Sequence, residues 1–138
     1  MAELVTQKML LDAGLASQFH IESAGTHASH IGERPDPRAE AALLRRGYRL
    51  GRARSRKVRP QDFENFDLIL AMDSNNLSDL RRIGPPEHLS KIRLFLDFGG
   101  DKSKSDVPDP YYGNTEGFER VLDLCEAGAR GLVRHYTR

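Results

Sequence analysis

Asp109 stands between Pro108 and Pro110, and Tyr111, Tyr112, Gly113 and Asn114 follow it. Two prolines and a glycine in so short a stretch make a stiff turn, not a helix or an interior strand. A carboxyl held on such a turn beside two aromatic rings could be partly desolvated. Desolvation raises a carboxyl pKa and suits the group to general-acid work near neutral pH. A plainer reading also fits, in which Asp109-Pro110 starts a turn and the tyrosines only pack.

Other residues carry possible chemistry. Ser23, Gly25 and Thr26 in "ESAGTH" offer hydroxyls and backbone N–H groups to an anion or a neighbouring loop, or form an ordinary strand-end turn. His27 and His30 are three apart, but they lie in a turn. Glu22 and Glu33 stand at no recognisable ligand spacing from them, so no metal site is expected. Cys125 falls on the apolar face of a helical pattern, as an inert buried thiol does. The segment 45–57, "RRGYRLGRARSRK", holds seven basic residues and no acidic one. It reads as a solvated surface that could also attract a phosphate-bearing or acidic partner.

The elements that must position these groups are legible. Residues 1–13 place Met1, Leu4, Val5, Met9 and Leu11 on one helical arc, with Gly14 as a stop. "FHIESAGTH" (19–27) begins as a strand over 19–23 and ends in a small-residue turn. Residues 35–48 read as a helix with Asp36 as N-cap, Pro37 at its first position and Gly47 at its end. "FDLILAMD" (66–73) contains the apolar run Leu68–Met72, the pattern of a strand buried on both faces. Asp73 or Ser74 can cap the next helix, through "NLSDLRRI". A further strand is expected over 91–99, and a final helix over 115–136. The order αβαβαβα predicts an α/β fold in three layers, a parallel sheet with helices on both faces. Ligands bind such sheets at the carboxyl ends of the strands. "SAGTH", "MDSNN" and "DVPDPYYGN" all follow strands and share that edge.

Composition narrows the classes. The 138 residues suit a single domain spanning 1–138, and 38% hydrophobic with 30% charged residues is ordinary for a soluble chain. A net charge of +1 gives no bulk attraction to nucleic acid or to a membrane surface. No apolar run approaches the roughly 20 residues of a spanning helix. The N-terminus, with Glu3 and polar residues in its first turns, does not read as a signal peptide, so a cytoplasmic location is expected. One cysteine excludes an internal disulfide framework.

Four segments in this order resemble the low-molecular-weight protein tyrosine phosphatase family: "MAE" at 1–3, "SAGTHASHIGERPDPRA" at 23–39, "FDLILAMDSNNLSDL" at 66–80 and "DVPDPYYGN" at 106–114. The resemblance implies a four-stranded parallel sheet. It implies phosphotyrosine hydrolysis through a cysteinyl-phosphate, with no metal or organic cofactor. It gives Asp109 the role of general acid and then base, and Tyr111 and Tyr112 the walls around the substrate ring. Ser23 orients the phosphate loop. The implied substrate is a phosphotyrosine protein or a small aryl phosphate. Neither nucleic acid nor membrane is implied as a partner, and an oligomer remains compatible.

The chain departs from the family pattern at its start. The family's Cys-x5-Arg phosphate loop directly precedes the segment matching "MAE", and here Met1 opens that segment. The expectation is a chain lacking the nucleophile, the phosphate-binding arginine and the first, central strand, and inactive unless extended upstream. Losing a central strand orphans backbone groups at about 1–3 kcal/mol each, against a total stability of about 5–15 kcal/mol. Met1 is therefore read as an internal methionine of a longer protein. The alternative is a non-catalytic remnant that binds a partner or phosphate through segment 45–57 and the Tyr111/Tyr112 surface. Arsenate reduction on the same fold needs further redox cysteines. Ser29 stands where the family usually places an aromatic, which opens that wall and loosens the preference for phosphotyrosine.

Overall fold

Gly14 and Gly47 terminate the first two helices in the same way. Both take positive φ, +75° and +83°, which only glycine adopts without strain. The Leu15 N–H then bonds the Leu10 carbonyl at 2.8 Å and the Gly14 N–H bonds Leu11 at 3.1 Å. Tyr48 to Leu43 and Gly47 to Leu44, both at 3.0 Å, repeat the pattern. These paired bonds satisfy the last carbonyls of each helix. The helices are α1 (Ala2–Asp12) and α2 (Pro37–Arg45). This computed structural model describes residues 2–26, 37–48, 56–99, 106–107 and 115–137. Asp36, the expected cap of α2, lies outside them.

After α2 come α3 (Pro60–Asn65), β1 (Ile69–Ala71), α4 (Ser74–Ile83), β2 (Ile92–Leu94) and α5 (Thr115–Tyr136). The short helix α3 is an addition to the sequence reading. Pro60 opens it, and Asp62 at its third position reaches back to accept the Arg59 N–H at 2.8 Å. Asp73 rather than Ser74 caps α4, its carboxylate accepting the Asn76 N–H at 2.7 Å.

β1 and β2 pair in parallel, Ile69 opposite Ile92 and Ala71 opposite Leu94, with α4 as the crossover. Alternate residues of β1 serve two cores. Leu70 and Met72 pack against Val5, Leu43, Phe95, Leu122 and Cys125 from the side of α1, α2 and α5. Ile69 packs with Ala71, Phe63, Leu80 and Ile92 on the side of α3 and α4. A strand with apolar side chains on both faces, between helical layers, is what the run Leu68–Met72 required.

The expected strands come out shorter or unpaired. The segment read as a strand over 91–99 is strand only at 92–94, and Phe95–Gly99 winds into a 3₁₀ turn. Three residues per turn put Phe95 and Phe98 on one side, and both meet α5 at its glycines. The Phe95 ring lies against Gly128, and the Phe98 carbonyl lies against Gly131. Residues 19–23 form no ladder among the described residues. Pairing starts instead at Gly25, whose N–H bonds the Arg56 carbonyl at 2.8 Å and whose carbonyl accepts the Val58 N–H at 2.9 Å.

Candidate functional site

Three loops meet beyond the carboxyl end of β1. The Met72 carbonyl accepts the Val107 N–H at 2.7 Å, tying the segment that leads to Asp109 to the strand end. One residue earlier, Asp106 Oδ1 accepts both the backbone N–H and the hydroxyl of Ser74, each at 2.8 Å. On the other side, the Asn76 side-chain amide donates to the Thr26 hydroxyl at 3.3 Å. "SAGT", "MDSNN" and "DV" are thus cross-linked around the first turn of α4. This is the edge where an open parallel sheet presents a ligand.

Of the sequence-predicted residues, Ser23 is described and is exposed on the segment leading into this edge. Asp109, Tyr111 and Tyr112 lie outside the described residues, as do His27, Ser29 and His30. Their flanks are described. Val107 is buried and pinned to β1, and α5 starts at Thr115. Seven residues separate those two fixed points. Among the described residues no cluster of three or more His, Cys, Asp or Glu side chains could hold a metal ion.

Cys125 sits on the inward face of α5 and is 1% exposed. Burial, with Glu126 adding to it, pushes its thiol up to about 11. The thiolate is the nucleophilic form, so this cysteine is chemically quiet at neutral pH, as its apolar helical face predicts.

At its described residues the basic segment is partly neutralised: Arg45, Arg46 and Arg56 are ion-paired, and Lys57 is exposed. Arg45 bonds Glu119 at 3.0 Å. Arg46 bonds Glu119 at 2.8 Å, Asp123 at 2.9 Å and also Glu126, joining α2 to α5. Bonds from Arg45 and Arg46 hold the Glu119 carboxyl below the ordinary carboxylate range. Burial and the neighbouring Glu126 push the Tyr48 hydroxyl up to about 12.

Arg56 donates to both oxygens of Asp62, at 2.9 and 3.2 Å. Burial of Asp62 disfavours its charge. The bonds from Arg56 and from the Arg59 N–H outweigh that and hold its carboxyl below the ordinary range. Asp62, Asn76 and Asp106 were not singled out from sequence. Asp62 had a signal, an acid two residues after a helix-opening proline. The Asp106–Ser74 contact spans 32 positions and had none.

A parallel strand pair flanked by helices, with three loops cross-linked at one edge, defines an α/β domain that presents its ligands there. A sequence model of the family "Low molecular weight phosphotyrosine protein phosphatase" matches residues 1–138, and the chain belongs to that family. A low molecular weight protein-tyrosine-phosphatase of Streptomyces coelicolor is 42% identical, over 96% of this chain and 82% of the relative. A protein tyrosine phosphatase from Entamoeba histolytica, solved with Hepes in its active site, superposes with a TM-score of 0.94 at 36% identity. That match covers 99% of this chain and 86% of the other. An arginine phosphatase of Drosophila superposes at 0.92 with 26% identity, covering 99% of this chain and 88% of the other.

Proposed function

We propose that this domain hydrolyses phosphotyrosine in proteins, or small aryl phosphates, through a cysteinyl-phosphate, with Asp109 as the proton donor. On this reading a thiolate attacks phosphorus and the bond to the aryl oxygen breaks. Asp109 gives its proton to the departing phenolate. The resulting carboxylate then takes a proton from the water that attacks phosphorus and releases the thiolate. Tyr111 and Tyr112 flank the substrate ring, and Ser23 orients the loop that holds the phosphate. Ser29 in place of an aromatic leaves that wall open to other phosphorylated groups.

The observation that supports this reading is the joint at β1. The bonds of Val107 to Met72 and of Asp106 to Ser74 set the start of the Asp109 segment at the ligand edge of the sheet. The nucleophile is not Cys125, which is the one cysteine of the 138 residues and is buried. On this reading the thiolate belongs to a Cys-x5-Arg loop, which the family pattern puts directly before the segment matching "MAE". That loop would follow the first, central strand of a four-stranded sheet. A cytoplasmic setting fits a phosphotyrosine substrate.

The lone buried cysteine also favours a second reading, a non-catalytic module that binds a partner or phosphate. Its route through the basic segment is weakened, because Arg45, Arg46 and Arg56 are already paired with acids. Turnover of p-nitrophenyl phosphate separates the two. The 138-residue polypeptide of confirmed mass is expected to be inactive. The same polypeptide with a Cys-x5-Arg segment joined before Met1 is expected to turn over, and Cys125→Ala to leave that rate unchanged. Inactivity of the joined, folded polypeptide would favour the binding module.

A further inference from the structure

Ser23 is exposed, so core packing does not set its position. Its neighbours do, and their attachments converge on one residue. The Arg56 carbonyl accepts the Gly25 N–H at 2.8 Å. The Arg56 guanidinium lies 3.7 Å from the Glu22 carboxylate, directly before Ser23. The same guanidinium is fixed by two bonds to Asp62, which is only 4% exposed and is itself tied to the start of α3. Val58 closes the arrangement by donating to the Gly25 carbonyl at 2.9 Å. His20 Nε2 contacts Glu22 at 2.9 Å from the other side.

We propose that Arg56 is the positioning residue for Ser23, holding its chain on both sides through one guanidinium and one carbonyl. The two-pronged bond to buried Asp62 gives the guanidinium a fixed orientation, which a lysine ammonium cannot reproduce. The fixed side chain fixes the backbone at 56, and the backbone at 56 fixes Gly25. Glu22 is drawn to the same cation, so the residues flanking Ser23 share one anchor. Ser23 then presents its hydroxyl in a constant place to whatever loop it supports. This inference rests on the phosphatase reading only for the use made of that hydroxyl; the anchoring stands apart from it.

The test has two arms. In the 138-residue polypeptide, amide exchange is followed residue by residue for Arg56→Lys and Glu22→Gln. Glu22→Gln leaves the Arg56–Asp62 pair intact and so serves where Arg56→Lys fails to fold. Each is expected to speed exchange at Gly25 by roughly tenfold while the amides of α5 keep their rates. Unchanged exchange at Gly25 in both variants overturns the proposal. Equal acceleration in α5 also overturns it, because that marks a general loss of stability. In a polypeptide that carries the Cys-x5-Arg segment, Arg56→Lys, Ser23→Ala and the double variant are compared in kcat and KM. An anchor that acts through Ser23 makes the double variant no slower than Ser23→Ala alone, whereas multiplied losses contradict it. A wild-type rate at background is a failure of the phosphatase reading, and the exchange arm then decides Arg56 by itself.

Discussion

Asp106 and Ser74, 32 positions apart, are joined twice through a single carboxylate oxygen, once to the Ser74 N–H and once to its hydroxyl. The contact places a carboxylate on the first helical residue of α4, where a backbone donor lacks an intrahelical partner. It also fixes the chain three residues before Asp109. The ligand edge is therefore built by long-range polar bonds around one helix start.

Removing that joint should have a graded effect. Ser74→Ala keeps the N–H bond and loses one hydrogen bond, a cost of about 0.5–1.5 kcal/mol. Asp106→Ala loses both and should lower Tm further. Equal melting temperatures for the two variants would contradict the two-bond geometry.

The Arg56–Asp62 pair predicts a pH dependence. Asp62 has a folded pKa below its unfolded value, near 3.9 for a free aspartate. Its contribution is thus complete above that unfolded value and is lost as pH falls through the lower folded one. Glu119 is shifted in the same direction by Arg45 and Arg46. Stability should therefore drop on acidification below about pH 4, and Asp62→Asn should flatten the drop. At neutral pH the same substitution should cost about 2–4 kcal/mol, because it breaks a largely buried pair. Urea unfolding at pH 7 and at pH 3 reads both effects.

Gly131 and Gly128 should differ in tolerance. A Cβ at Gly131 would overlap the Phe98 carbonyl oxygen and carbon, which are backbone and cannot step aside. A Cβ at Gly128 would meet the Phe95 ring, a side chain with some freedom to move. Gly131→Ala is expected to cost more than about 3 kcal/mol and Gly128→Ala less, both by the overpacking of a tight contact. The ranking is checked by thermal melts of the two variants.

Cys125 should resist alkylation. With its thiol pushed up to about 11 and its side chain buried, iodoacetamide at pH 8 should leave the native chain unmodified for as long as it stays folded. The same reagent in denaturant should modify it fully. Rapid modification of the native chain would contradict the inert reading and reopen Cys125 as a nucleophile.

Local signals carried much of the fold. Gly14, Gly47 and Asp73 act through their own residue types, and each ends or starts the helix its type suggested. The helix over 115–136 was also fixed by its own apolar periodicity. Strand lengths were not legible. Phe95 to Gly99 leaves the extended form because α5 offers two glycines for it to lie against, a fact held 33 residues away in sequence. The site divided along the same line. The "DPYY" stretch is singled out by residue type but lies outside the described residues, whereas Asp106, Asn76 and Arg56 work through partners that only folding brings near.

The central claim is that Asp109 donates the proton to the leaving phenolate. The measurement that bears on it most directly compares Asp109→Asn with the parent on two substrates, in the polypeptide joined to a Cys-x5-Arg segment. Phenyl phosphate leaves as a basic phenolate that needs the proton, while p-nitrophenyl phosphate leaves as a weakly basic one that needs it far less. The account predicts a loss in kcat of roughly 10²–10⁴ on phenyl phosphate and a much smaller loss on p-nitrophenyl phosphate. Equal losses on both substrates, or no loss on either, would contradict it.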